Sequence, residues 1–218
     1  MKRKGLLCAV LALVMLLSAQ PAAAALSNQR STIIRTTCKL PVIRVTVPTS
    51  ASVYFNPLRF PVSINGETED EQIISTPAAI ANQSEVPIDV DVTVTSSIKT
   101  GSDMTLAAGP TGGAGTDKSA FVYFEITQAN TAVSDEVDWA PAYDSNQHIA
   151  LVNGVSLTRQ SIFTLPARTQ DGEVAEGGYA PFRLTGDAVR KPTNAWNSKD
   201  GINVVVAFTF TPLSYSAG

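Results

Sequence analysis

Histidine occurs once in the 218 residues and cysteine twice, which excludes a zinc centre built from those ligands. No basic run follows Lys2–Lys4, and charged residues make up only 16% of the chain. A nucleic-acid partner is therefore not expected. Helical periodicity is nearly missing: Thr76–Asn82 and Asp187–Lys191 offer one turn each. No run after residue 25 approaches the about 20 apolar residues that span a bilayer. The last nine residues carry neither an apolar segment nor a basic tail, so a sortase-type anchor is not expected.

What is present begins with an address. Lys2, Arg3 and Lys4 precede an unbroken apolar run from Gly5 to Leu17, and Ser18–Ala25 is rich in small residues. This three-part order predicts a signal peptide over 1–25 and a secreted chain, extracellular or at the cell surface, with no membrane contact after cleavage. Its removal takes the 16 basic residues down to 13 against 19 acidic ones. It also removes Cys8, leaving Cys38 with no internal disulfide partner. Such a chain relies on a buried core, and a length near 190 residues is enough to build one.

The mature chain reads as strands. In Val86–Thr95, Val86, Ile88, Val90, Val92 and Val94 share one face, and Pro87, Asp89, Asp91, Thr93 and Thr95 the other. Asn203–Thr211 repeats the alternation with Val204, Val206, Phe208 and Phe210. Ala120–Thr127 is apolar on both faces at its start, as a central strand is. Thirteen prolines and fourteen glycines punctuate these runs. The pattern predicts an all-β chain: a single antiparallel β-sandwich over 26–218, jelly-roll or immunoglobulin-like, with about 8 to 11 strands. The glycine-rich stretch Gly109–Gly115 reads as a hairpin loop between Met104–Ala107 and Ala120–Thr127.

Sites for chemistry are few. The stretch from Gly109 to Lys118 lacks the Gly-Lys-Ser/Thr ending of a phosphate loop, and a strand follows where a helix is needed. No cofactor is implied. Calcium is the one ion the acidic loops suit, at Glu67, Glu69, Asp70 and Glu71 or at Asp135, Glu136, Asp138 and Asp144, although neither has calcium-loop spacing. Asp89 and Asp91 share a strand face, where solvent exposure is the simpler reading. A serine triad would have to use His148, and no Gly-x-Ser-x-Gly elbow exists, so an enzyme is not expected. Trp139, Tyr143, Trp196 and Tyr54 are candidate aromatic surfaces for a sugar, with Trp196 equally suited to plugging one end of the core. Leu26–Thr37 carries Ile33 and Ile34, a candidate self-assembly segment that adds as a strand to a neighbouring copy.

Val45-Thr-Val-Pro-Thr-Ser50, Val53-Tyr-Phe-Asn-Pro57, Ile80-Ala-Asn-Gln-Ser-Glu-Val-Pro-Ile-Asp-Val90 and Trp196–Phe208 follow one another behind the leader. In this outline the chain resembles small secreted surface proteins of Gram-positive bacteria, of the WxL-type and camelysin/TasA-like matrix-fibre kinds. The Trp-x-Leu motif itself is missing, since the tryptophans stand in Trp139-Ala-Pro and Trp196-Asn-Ser. The resemblance implies a sandwich fold and a structural or adhesive role at the cell surface or in the extracellular matrix. No catalytic residue is carried over. The partners expected are further copies of the chain or, as the alternative, cell-wall or host glycans.

Overall fold

The computed structural model describes residues 43–49, 53–58, 62–64, 67–69, 71–76, 78–133 and 136–213. The expected leader, Ile33, Ile34 and Cys38 lie outside these residues. The described residues belong to one unit, Leu40–Gly218. Its strands are β1 (Val45–Thr46), β2 (Val53–Phe55), β3 (Val62–Ile64), β4 (Glu67–Glu69), β5 (Ile73–Ser75), β6 (Ala78–Asn82), β7 (Ile88–Ile98), β8 (Thr105–Leu106), β9 (Ser119–Ile126), β10 (Ile149–Ala150), β11 (Ser156–Leu165), β12 (Tyr179–Ala188) and β13 (Ile202–Pro212). No α-helix occurs among the described residues. The chain is all-β, with several mainly antiparallel sheets, an arrangement consistent with a sandwich.

A three-stranded sheet runs β11-β7-β13. The alternation of β7 places Ile88, Val90, Val92 and Val94 at 0–3% exposure, while the residues between them stay half-buried. Val206, Phe208 and Phe210 of β13 stand opposite Val94, Val92 and Val90 and so share that inner face. The wet face of the sheet carries a hydroxyl ladder: Thr93 pairs with Thr158 at 2.8 Å and Thr95 with Ser156 at 2.7 Å.

The second sheet runs β1-β6-β12-β9-β10. β9 turns Ala120, Val122 and Phe124 inward, and one hydrophobic core contains these residues together with those of β7. Phe208 of β13 meets Phe182 of β12 at 5.2 Å between ring centroids and Phe124 of β9 at 6.5 Å. β12 and β9 approach so closely at Gly186 that a Cβ there would lie 2.0 Å from the Phe121 carbonyl oxygen.

Three local expectations are corrected. Thr76–Asn82 does not form a helical turn: Ala78–Asn82 is β6, paired antiparallel with β12 from Ala78–Phe182 to Ala81–Tyr179. Alanine favours helix, but pairing to a neighbouring strand overrides that weak local preference. Asp187 and Ala188 likewise end β12 as strand. The glycine-rich stretch is no hairpin loop, because β8 pairs parallel with β9, Thr105 opposite Ser119. A parallel pair needs a crossover, which residues 107–118 provide.

Polar groups in the interior are matched. Asn82, fully buried, donates to the carbonyls of Val86, Leu165 and Pro166 and accepts the Ser84 amide, tying the β6–β7 turn to the end of β11. The Gln72 side chain donates to the Ala188 carbonyl at 2.9 Å and accepts its N–H at 3.0 Å. It thereby acts as one rung on the edge of β12 beyond the end of β6.

Candidate functional site

The sequence candidates fall into two places. Trp139 and Tyr143 line a recess of about 480 Å³ on the outer side of β9, whereas Trp196 and Tyr54 line a cleft of about 1070 Å³ beside β13. The four aromatics therefore form two surfaces and no common platform.

At the recess, Phe121, Tyr123 and Glu125 project from the outer face of β9, and the connection 136–148 folds over them. Tyr143 stands edge-on to Phe121 at 4.8 Å and lies 5.1 Å from Tyr123. Glu125 is almost fully buried and well matched: it accepts the Ala140 amide at 2.8 Å and Arg183 Nε at 2.8 Å. The Arg183 guanidinium in turn lies 4.4 Å over the Trp139 ring. His148 Nδ1 accepts the Asp144 amide N–H at 2.9 Å, which leaves the proton on Nε2, 3.6 Å from Glu125 Oε1. Arg159 of β11 donates to the carbonyls of Ser145, Asn146 and His148 and pins the connection from the other sheet. Burial lowers the His148 pKa and raises that of Tyr123. His148 thus has Nδ1 engaged by the Asp144 backbone and Nε2 facing Glu125.

The cleft has a different character. Val204, Val206 and Phe208 of β13 form one wall, with Phe124, Phe182 and Leu184 behind them and Phe55 and Trp196 at one end. Trp196 donates through Nε1 to the Val189 carbonyl at 2.8 Å and meets Phe55 edge-on at 5.1 Å. Its ring is thus both a plug and part of the cleft. Val53, Tyr54, Leu58 and Val205 on the same walls are exposed. Among the described residues β13 pairs with β7 alone, and the cleft runs beside it.

A third group was not singled out in the sequence. Lys118 Nζ lies 2.7 Å from Asp103 Oδ1 and 3.1 Å from Asp200 Oδ2. The hydrogen bond that Lys118 donates to Asp103 holds the lysine above its ordinary pKa, with Asp200 acting in the same direction against burial. Burial pushes Asp200 up, but the Asn197 amide, Lys118 and Ser102 outweigh it and hold the carboxyl below the usual range.

The acidic candidates do not converge. Among the described residues no three His, Cys, Asp or Glu side chains are grouped to hold a metal ion. Glu67 and Glu69 stand on β4 rather than in a loop, and Asp70 and Asp135 lie outside the described residues. Asp89 and Asp91 are engaged with β11: Asp91 accepts the Ser161 amide at 2.7 Å, and Asp89 accepts the hydroxyls of Ser161 and Thr164. Glu125 and Arg183 were also missed. The available signal was a lone acid in the apolar run Ala120–Thr127 and a lone arginine in Tyr179–Thr185. Comparison of the chain with family models, with curated proteins and with solved structures returns no match.

Proposed function

We propose that the chain is a secreted structural or adhesive protein of a bacterial cell surface or extracellular matrix, a fibre subunit whose N-terminal segment serves as a strand for the next copy. We read its fold as a single sandwich of the jelly-roll or immunoglobulin-like kind. The observation that carries the functional reading is that β13 has no second strand partner among the described residues and lies beside a cleft of about 1070 Å³ with apolar and polar walls. An unpaired strand edge is a template for an added strand: backbone hydrogen bonds supply affinity and alternate side chains fill the pockets. The segment 33–40 has a suitable pattern, with Ile34, Thr36, Cys38 and Leu40 alternating with Ile33, Arg35, Thr37 and Lys39. One face suits the cleft and the other, cationic, suits water.

The test is light scattering across a range of concentrations. The chain from Leu26 is expected to assemble, while the same chain with Ile33→Asp and Ile34→Asp, or a chain starting at Pro41, stays monomeric. A peptide covering 33–40 is expected to change the fluorescence of Trp196 in the shortened chain. A chain from Leu26 that remains monomeric at every concentration defeats the reading.

A second reading, a non-catalytic module for cell-wall or host glycans, is favoured by the recess. Trp139 and Tyr143 both line it together with Asp138, Asp144 and Gln147, aromatic rings beside planar hydrogen-bonding groups. Saccharide titration is expected to quench tryptophan emission, and Trp139→Ala to abolish the change while Trp196→Ala leaves it.

A further inference from the structure

Neither strand addition nor sugar binding accounts for Lys118, Asp103 and Asp200. Lys118 immediately precedes β9, and Asp200 precedes β13 in the other sheet. Both side chains are withdrawn from water, at 4% and 1% exposure, whereas the Asp103 side chain is 58% exposed. Asp200 is fixed through both oxygens: Oδ2 accepts the Asn197 amide at 2.8 Å and Oδ1 accepts the Ser102 hydroxyl at 3.1 Å. The Lys118 backbone is fixed by its carbonyl, which accepts the Thr105 amide at 2.8 Å. A primary amine and a carboxyl group, both nearly inaccessible to solvent, are thus held against each other by separate parts of the fold. A third group open to solvent stands beside the amine.

We propose that Lys118 and Asp200 condense in the folded chain to an amide that joins the two sheets covalently. Lys118 passes one ammonium proton to Asp200 Oδ2, 3.1 Å away, so that amine and carboxyl are both neutral. The freed amine lone pair attacks Cγ of Asp200, forming the N–C bond. The protonated oxygen then leaves as water, taking a second proton from the nitrogen by way of Asp103. The ammonium and the carboxylate become one neutral amide and one water, and no oxidant, reductant or activating group is needed. One feature favours the step: fixed orientation gives intramolecular reactions effective molarities of about 10⁵–10⁸ M. The pair starts ionised, so the bond forms slowly and after folding. In a chain with two cysteines, one of them in the expected leader, this bond stands where a disulfide would.

The test is the intact mass of the full folded chain, kept at neutral pH and then denatured, followed by a peptide map. The expected mass is one water below that of the N-terminus found. The expected map holds a branched peptide joining residue 118 to residue 200, absent from Lys118→Arg and Asp200→Ala and slower to appear in Asp103→Ala. Asp171-Gly172 and Asp200-Gly201 are sequences that lose water as linear succinimides. The same mass loss carried by a linear peptide overturns the proposal, as does full mass after prolonged incubation. The unsubstituted chain is itself the sample, so a variant that fails to fold does not spoil the result.

Discussion

His148 is held neutral in the folded chain, and the direction of its shift sets a pH dependence. Burial is the main cause; Arg159 and Arg183 act with it, and Glu125 and Asp144 act against it. The unfolded histidine titrates near pH 6.5 and the folded one lower, so between those values the unfolded chain binds the extra proton. Stability is full above about pH 6.5 and falls as pH drops toward the folded value. Protonating Nδ1 also ends its acceptance of the Asp144 amide. The urea midpoint is expected to be lower at pH 5.5 than at pH 7.5, and His148→Gln to flatten that difference while lowering stability at pH 7.5. The same pH dependence in both chains would show that His148 is not the group responsible.

The β11 strand shows why an element was only half legible. Its pairing with β7 shifts between Arg159 and Phe163, and Ser161 takes a positive φ of 46°. Asp89 and Asp91 hold this bulge from the neighbouring strand, so residues that looked like plain solvent-facing acids fix a backbone irregularity. Asp91→Ala is expected to cost about 1 kcal/mol, read as a lower urea midpoint with an unchanged slope. β7 and β13 were legible because each alternates an inward apolar face with a wetter one. The position of β8 was not, since a parallel partner is chosen by a non-local crossover and not by the glycines beside it. The recess was illegible for the same kind of reason: Glu125, Arg183, Trp139 and His148 meet only because 136–148 folds across β9. The aromatics were visible as residue types, but their division between two surfaces was set by tertiary structure.

For the molecule as a whole, the core is drawn from Val45 onward in the described residues, with β7, β9, β12 and β13 supplying most of it. If 26–40 serves the next copy, as proposed, a chain starting at Pro41 is expected to fold with a single cooperative urea transition, even where it no longer assembles. Loss of that transition would mean that 26–40 belongs to the fold of its own copy. The direction of the strands has a mechanical consequence as well. β7 is paired with β13 through eleven consecutive positions, from Ile98–Ile202 to Ile88–Pro212. Hydrogen bonds of an antiparallel pair lie across the strands. Tension along β13 shears all of these rungs together, whereas tension across it peels them one after another. The sheet is stiff on one axis and weak on the other, so the direction of a pull, more than the free energy of folding, decides when it yields.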